Sequence, residues 1–310
     1  MRFARAAGAR LIEVGIVFLG VTFIIYAMVW ALPGDPIAAL GGDRPLPAAV
    51  VAELRRQFHL DDPLLLQYLR YLGGLFTGDL GTTFDGVPVA DRMSARWPVT
   101  ITLAITAWVI EVVLGVLLGL VAGLRKNSWI DRGVLLTTIL ATSIPIFVVA
   151  VGAQLIFGLQ LKWLPIAGTT AGWPTAYILP AAVIAIFGLA AIARLMRGSV
   201  IDTLQSDFVR TLRAKGVPRR TIVGTHVMRN SVAPVLTFVA IDLGYLLGGA
   251  VVVEGVFNLP GIGQLLFTAI RTHEGPTVVG VGTTLILIFL ALSLLVDLVN
   301  SALDPRIRHV

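Results

Sequence analysis

The stretch DFVRTLRAKGVPRR, residues 207–220, sets five basic side chains between two long apolar runs. The run before it, 177–193, and the run after it, 234–256, each approach the roughly 20 apolar residues that cross a bilayer core. Reading outward, four more such runs occupy 11–32, 99–124, 134–157 and 276–303. None alternates with period two, so helices are expected rather than the strands of a β-barrel. Only 14% of the 310 residues are charged and 56% are hydrophobic, whereas a soluble domain carries about 25% charged residues. The expectation is an all-α polytopic membrane protein with about six transmembrane helices in a single transmembrane domain over 1–310.

Charge orients the spans. With six crossings both termini share one side, together with the segments around residues 125–132 and 194–233. Sixteen of the 24 lysines and arginines fall there, among them Arg2, Arg5, Arg10, Arg125, Lys126 and Arg132. The opposite side holds eight, and its long segment 33–98 also carries eight acids from Asp35 to Asp91. The positive-inside rule places both termini and residues 207–220 in the cytoplasm. The net charge of +6 follows from this asymmetry and from the lipid surface it faces, so no nucleic-acid partner is called for. The opening MRFARAAGAR and the apolar run behind it resemble a secretion signal, but the run is too long and no A-x-A site follows. An uncleaved first helix is expected.

Segment 33–98 is too long for a plain connector. PAAVVAELRRQF and PLLLQYLRYLGGLF within it each read as a short helix opened by a proline. The segment is expected to lie outside the cell, as a lid over the outer mouth or a contact for an outer partner.

Small residues recur at four-residue spacing as Gly115, Gly119 and Gly123, and again as Gly244 and Gly248. Such faces let helix backbones approach closely, within one subunit or between two. Glu13, Glu111, Asp242, Glu254 and Asp297 are the acids in or near spans. Acids are costly in hydrocarbon and are candidates for a functional site. Glu111, Asp242, Tyr245 and Glu254 are therefore candidate pore-lining residues, with a structural hydrogen bond between helices as the alternative role.

No G-x-x-x-x-G-K-[ST] occurs, so no nucleotide-binding loop is encoded. The histidines make no H-E-x-x-H pair, there is no cysteine, and no G-x-S-x-G is present. No catalytic residue, cofactor site or metal site is expected. Nor do paired broken helices recur in two halves, as ion-coupled transporters often show.

Residues 207–220 themselves spell a helix with a definite stop. Ser206 suits an N-cap, and Asp207 complements the helix dipole. Phe208, Val209 and Leu212 form an apolar face, with Arg210, Arg213 and Lys215 turned away from it. Ala214 continues the helix, Gly216 can adopt positive φ at its end, and Pro218 opens a new turn. A helix lying at the membrane surface and a helix docked on a partner both fit this pattern.

The segment DFVRTLRAKGVPRRTIVGTHVMRNSVAPVLT resembles the cytoplasmic signature loop of ABC importer permeases. The variant it resembles belongs to the first permease subunit of dipeptide, oligopeptide and nickel importers. LPGDP, GDLGTTF, SIPIFVVAV, KWLP, VVVEGVFNLPGIGQLL and the C-terminal LDPRIR extend the likeness, in order, along nearly the whole chain. Arg210, Thr211 and Leu212 stand where the idealised loop has Glu-Ala-Ala, and its later proline is met only at Pro234. The resemblance implies an ABC type I importer permease fold. Residues 206–216 would be the coupling helix received by one of two cytoplasmic ATPase subunits, which bind the ATP and magnesium. A second, homologous permease and an extracytoplasmic solute-binding protein would complete the complex in a bacterial cell membrane. Peptides are the implied cargo; nickel, haem or another small solute uses the same architecture. A self-sufficient secondary transporter is the reading from a different class.

Overall fold

The computed structural model describes residues 2–30, 37 and 47–303. LPGDP, residues 304–308 of LDPRIR with Arg306 and Arg308, and the side chain of Asp297 lie outside the described residues. The described elements are helices: α1 (Arg2–Trp30), α2 (Ala48–Gln57), α3 (Leu64–Leu75), α4 (Val89–Ser94), α5 (Trp97–Leu124), α6 (Trp129–Ser143) and α7 (Ile146–Ala153) open the series. They continue as α8 (Thr175–Gln205), α9 (Asp207–Ala214), α10 (Met228–Val256), α11 (Ile262–Arg271) and α12 (Gly275–Leu303). Five stretches are long and apolar enough to cross a bilayer: Ile12–Trp30, Trp97–Leu124, Thr175–Gln205, Arg219–Gly248 and Gly275–Val296. Trp129–Ser143 and Ile146–Gln160 meet the same length and composition test only as a pair, which makes six crossings if the two count as one span. The contacts divide the chain into two compact units, one of Met1–Thr100 with Pro260–Val310 and one of Ile101–Leu259.

The third expected span is not one straight helix. Trp129–Ser143 and Ile146–Gln160 meet at a bend of 101°. Ile144, which precedes Pro145, is extended at φ −95°, ψ 128°. Proline's ring disfavours the α conformation in the residue before it and removes a backbone donor, so the helix stops and restarts. The fourth run also departs from expectation: α8 passes Ala193 without a break and carries helical backbone to Gln205.

In the first unit α12 lies along α1, and glycines set the spacing. A Cβ on Gly275 would stand 2.7 Å from Val29 Cγ1, and one on Gly282 3.2 Å from Ile25 Cδ1. The two short helices expected in the outer segment are present as α2 and α3, entered from Pro47 and Pro63. Helix α3 is tied to α1 by Tyr68, whose hydroxyl donates to the Leu19 carbonyl at 2.9 Å. Tyr71 donates to Thr283 Oγ1 at 2.9 Å, and burial pushes its phenol up to about 12.

In the second unit α8 is the axis. Ile192, Met196 and Val200 are buried with Val209, Ile222, Val227, Val235 and Val239. The Gly115, Gly119 and Gly123 stripe of α5 lies against this helix. An added Cβ would stand 2.8 Å from Ile192 Cβ, 2.5 Å from the Ala193 carbonyl and 2.8 Å from Val200 Cβ, respectively. The stripe therefore packs within the subunit, and only glycine permits this backbone approach. Gly248, by contrast, has open space around it. Trp108 crosses to α10, donating its indole N–H to the Val239 carbonyl at 3.0 Å. At the start of α6, Ser128 accepts from the backbone N–H of Asp131 at 3.3 Å. The Asp131 carboxylate is buried and receives Arg197 of α8 in a bidentate pair, with Nη2 2.8 Å from Oδ2.

Replacing Gly119 with valine overpacks the α5–α8 contact and is expected to cost about 1–3 kcal/mol, read as a lowered thermal midpoint of the purified chain. Gly248→Ala, in open space, should leave the midpoint unchanged. Asp131→Ala strands Arg197 and is expected to cost about 3–5 kcal/mol, and Arg197→Met in the same background should recover part of that loss.

Candidate functional site

The site begins where α8 ends. Ser206 is extended at φ −68°, ψ 153°, which turns the chain sharply into α9. Its hydroxyl does not cap α9 as expected; it donates back to the Thr203 carbonyl at 2.6 Å. The Ser206 carbonyl instead accepts from Val209 and Arg210, both at 3.2 Å. The chain direction is thus set by backbone bonds, with the side chain holding on to the preceding helix.

Helix α9 is held by two residues. Val209 is fully buried among the α8 and α10 side chains, and Leu212, three positions on, packs on the same cluster. Phe208 does not share that face and remains 40% exposed. Neighbouring helical residues are about 100° apart, so seating Val209 beneath the helix swings Phe208 to its flank. Asp207, Arg210, Thr211, Arg213, Ala214 and Lys215 are exposed beside it. Arg210 reaches Asp207 at 3.5 Å, both ends of the pair being open to solvent.

The helix stop is complete. Gly216 sits at φ +75°, in the left-handed region that favours glycine. Val217 donates to the Leu212 carbonyl at 3.1 Å, and Gly216 donates to the Arg213 carbonyl at 3.0 Å. This pair of bonds is the Schellman closure, and the contact expected between its flanking apolar residues is met by Val217 and Leu212 in one cluster. Pro218 then starts the turn Arg219–Thr221, which runs through a π-helical stretch, Ile222–Val227, into α10. Residues 206–216 therefore form an outward-facing platform bolted to α8 from below.

The membrane acids lie elsewhere in the same unit. Glu111 of α5 and Glu254 of α10 have no exposed surface, and Asp242 of α10 is half-buried. Gly188 of α8 brings Glu111 and Asp242 together: a Cβ there would stand 2.6 Å from Glu111 Cδ and 3.0 Å from Asp242 Oδ2. Tyr245 is 61% exposed. Glu254 is twelve residues beyond Asp242, about 18 Å along a helix, and does not join the pair.

Two features escaped the reading by sequence pattern. Gln154–Gln160 and Ile222–Val227 are π-helical, and no apolar periodicity marks such a stretch. Gln154, a lone amide in an apolar run, was the available signal. Its Nε2 donates to the carbonyls of Ile166 at 2.8 Å and Val256 at 3.1 Å, tying the second half of the broken span to the end of α10.

Comparison with known proteins finds likeness along nearly the whole chain. Residues 115–309 match the model of the binding-protein-dependent transport system inner membrane component, and residues 4–104 match the N-terminal region of such membrane components. A Brucella abortus protein with the provisional name of peptide transport system permease protein is 36% identical over 300 residues, covering 94% of this chain and 95% of the relative. The glutathione transport system permease protein GsiC of Escherichia coli O6:H1 is 35% identical over 290 residues, covering 93% and 94%. GsiC of Salmonella paratyphi A matches to the same extent. With its family model covering more than half the chain and its relatives aligned almost end to end, the chain belongs to the binding-protein-dependent transport system inner membrane components, the multi-pass permeases of bacterial ABC importers.

Proposed function

We propose that this chain forms half of the translocation pathway for small peptides and takes its energy from ATPase subunits docked on residues 206–216. The observation that carries the reading is α9 itself. A surface helix needs no stop, whereas α9 is pinned by Val209 and Leu212, closed at Gly216 and leaves Phe208 exposed. An exposed aromatic on a firmly held helix is the kind of anchor that fills a pocket on a partner. Movement of that partner would pass into α8, which α9 follows after the single extended residue Ser206.

In this reading the chain is one permease domain over 1–310, with both termini and residues 194–233 cytoplasmic and residues 33–98 outside. The excess of lysine and arginine around α9 supports that orientation. A second, homologous permease completes the pathway, two cytoplasmic ATPase subunits bind ATP and magnesium, and a solute-binding protein delivers cargo outside. The chain itself does no bond chemistry. Alternating access is then a two-state rearrangement biased by nucleotide bound elsewhere. Tyr245, exposed on a membrane-spanning helix, is the candidate to face the pathway, and Asp242 adjoins it one turn earlier. Peptide cargo rests on the names of the relatives, one of which concerns peptides in general and two glutathione.

Two variants test the docking assignment in the complex reconstituted with its ATPase subunits and solute-binding protein. Gly216→Val forces a β-branched residue into positive φ at a cost of order 1–3 kcal/mol. ATP hydrolysis is expected to persist while ATP-dependent uptake falls at least tenfold. Unchanged coupling of the two rates would remove α9 from the energy path. Phe208→Ala should weaken binding of the ATPase subunits about tenfold, equivalent to ~1.4 kcal/mol, without altering the thermal midpoint of the isolated chain. Cargo is checked by mass spectrometry of the ligand carried by the co-purifying solute-binding protein; a metal or haem there would overturn the peptide assignment.

A further inference from the structure

Glu111 and Asp242 present a problem in hydrogen bonding. Both Glu111 carboxyl oxygens and Asp242 Oδ2 are buried without a hydrogen-bond partner. Glu111 has no exposed surface at all. The two groups converge on the bare backbone of Gly188, where a Cβ would stand 2.6 Å from Glu111 Cδ and 3.0 Å from Asp242 Oδ2. The recess exists because that residue is glycine, so three helices share in building it.

Among the described residues, the surroundings supply no donor for these oxygens. One turn away on the three helices lie Ala107 and Gly115, Ile184 and Ile192, and Phe238 and Leu246, all apolar. Trp108 spends its indole N–H on the Val239 carbonyl. Tyr245 is turned outward at 61% exposure. The cations of α8 are engaged elsewhere: Arg194 with the Thr138 carbonyl at 3.5 Å and Arg197 with Asp131. Helix α7, packed on α8 and α10, carries no ionisable residue. On α6, Asp131 is held by Arg197, and Arg132 lies over the Trp129 ring. Backbone N–H groups inside the helices are already committed to the helices themselves.

Two ionised carboxylates in such a recess would repel each other in a medium that screens poorly, and each would lack the hydrogen bonds that make a buried charge tolerable. A single proton removes both difficulties, because a protonated carboxyl gains an O–H donor for its neighbour. We propose that Glu111 and Asp242 bind one proton between them, as a carboxylic acid–carboxylate pair that fastens α5 to α10 across Gly188. The pair is a proton-binding site inside the membrane domain, independent of the ATPase-docking surface.

Infrared spectroscopy of the full chain in lipid nanodiscs tests this at neutral pH. The parent minus Glu111→Gln difference spectrum is expected to contain one carboxylic-acid C=O band that shifts in D2O. Asp242→Asn should abolish the same band, because an amide N–H replaces the shared proton in either variant. Both amide variants should also keep the parental thermal midpoint. A difference confined to carboxylate bands would overturn the proposal, and sodium-dependent changes in those bands would assign the recess to a metal cation instead. Loss of the folded state in both amide variants would likewise overturn it, since both preserve a donor and an acceptor in the recess.

Discussion

Everything in the second unit depends on how closely α5 approaches α8. At Gly119 the approach leaves so little room that a single added carbon would fall 2.5 Å from the Ala193 carbonyl. In lipid, helix association draws on van der Waals packing rather than on release of water, so such close backbone contact is the main source of cohesion. The contact buries one side of α8, Trp108 carries α5 on to α10, and Asp131 joins α6 to the same axis through Arg197. A helix held on several sides can act as a lever.

That lever ends in a short, firmly closed helix. Ser206 turns the chain, Val209 and Leu212 lock α9 against the base of α8 and α10, and the Gly216 closure prevents α9 from growing into a longer surface helix. What stays outside is Phe208 with its basic neighbours. In the proposed docking, a push on this platform would pass through packed side chains and an almost unbroken run of helical backbone into α8. The broken third span and the two π-helical stretches lie around the same axis. Gln154, at the start of the first π-helical stretch, ties it to the Ile166 and Val256 carbonyls.

Much of this was legible in the chain. Spans, helical class, the two outer helices and the glycine stop at Gly216 follow from run length, composition and turn chemistry, which are local properties. The errors were local as well. Ser206 matched the statistics of an N-cap, but its hydroxyl found the Thr203 carbonyl first. Phe208 and Val209 are both apolar, but adjacent residues on a helix point about 100° apart and cannot face the same neighbour. Pro145 stood in plain view within the third run, yet hydropathy averaged across it and concealed a bend of 101°.

The sequence by itself determined that the chain is a helical membrane protein and where a short helix must stop. These follow from the free energy of apolar transfer and from backbone rules that act within a few residues. Only the tertiary structure decided that the Gly115–Gly123 stripe serves α8 rather than another subunit, that Phe208 points outward, and that Glu111 meets Asp242 over Gly188. Those outcomes depend on which helix faces come together across more than seventy residues of sequence. No local pattern specifies them; the packing of three helices does.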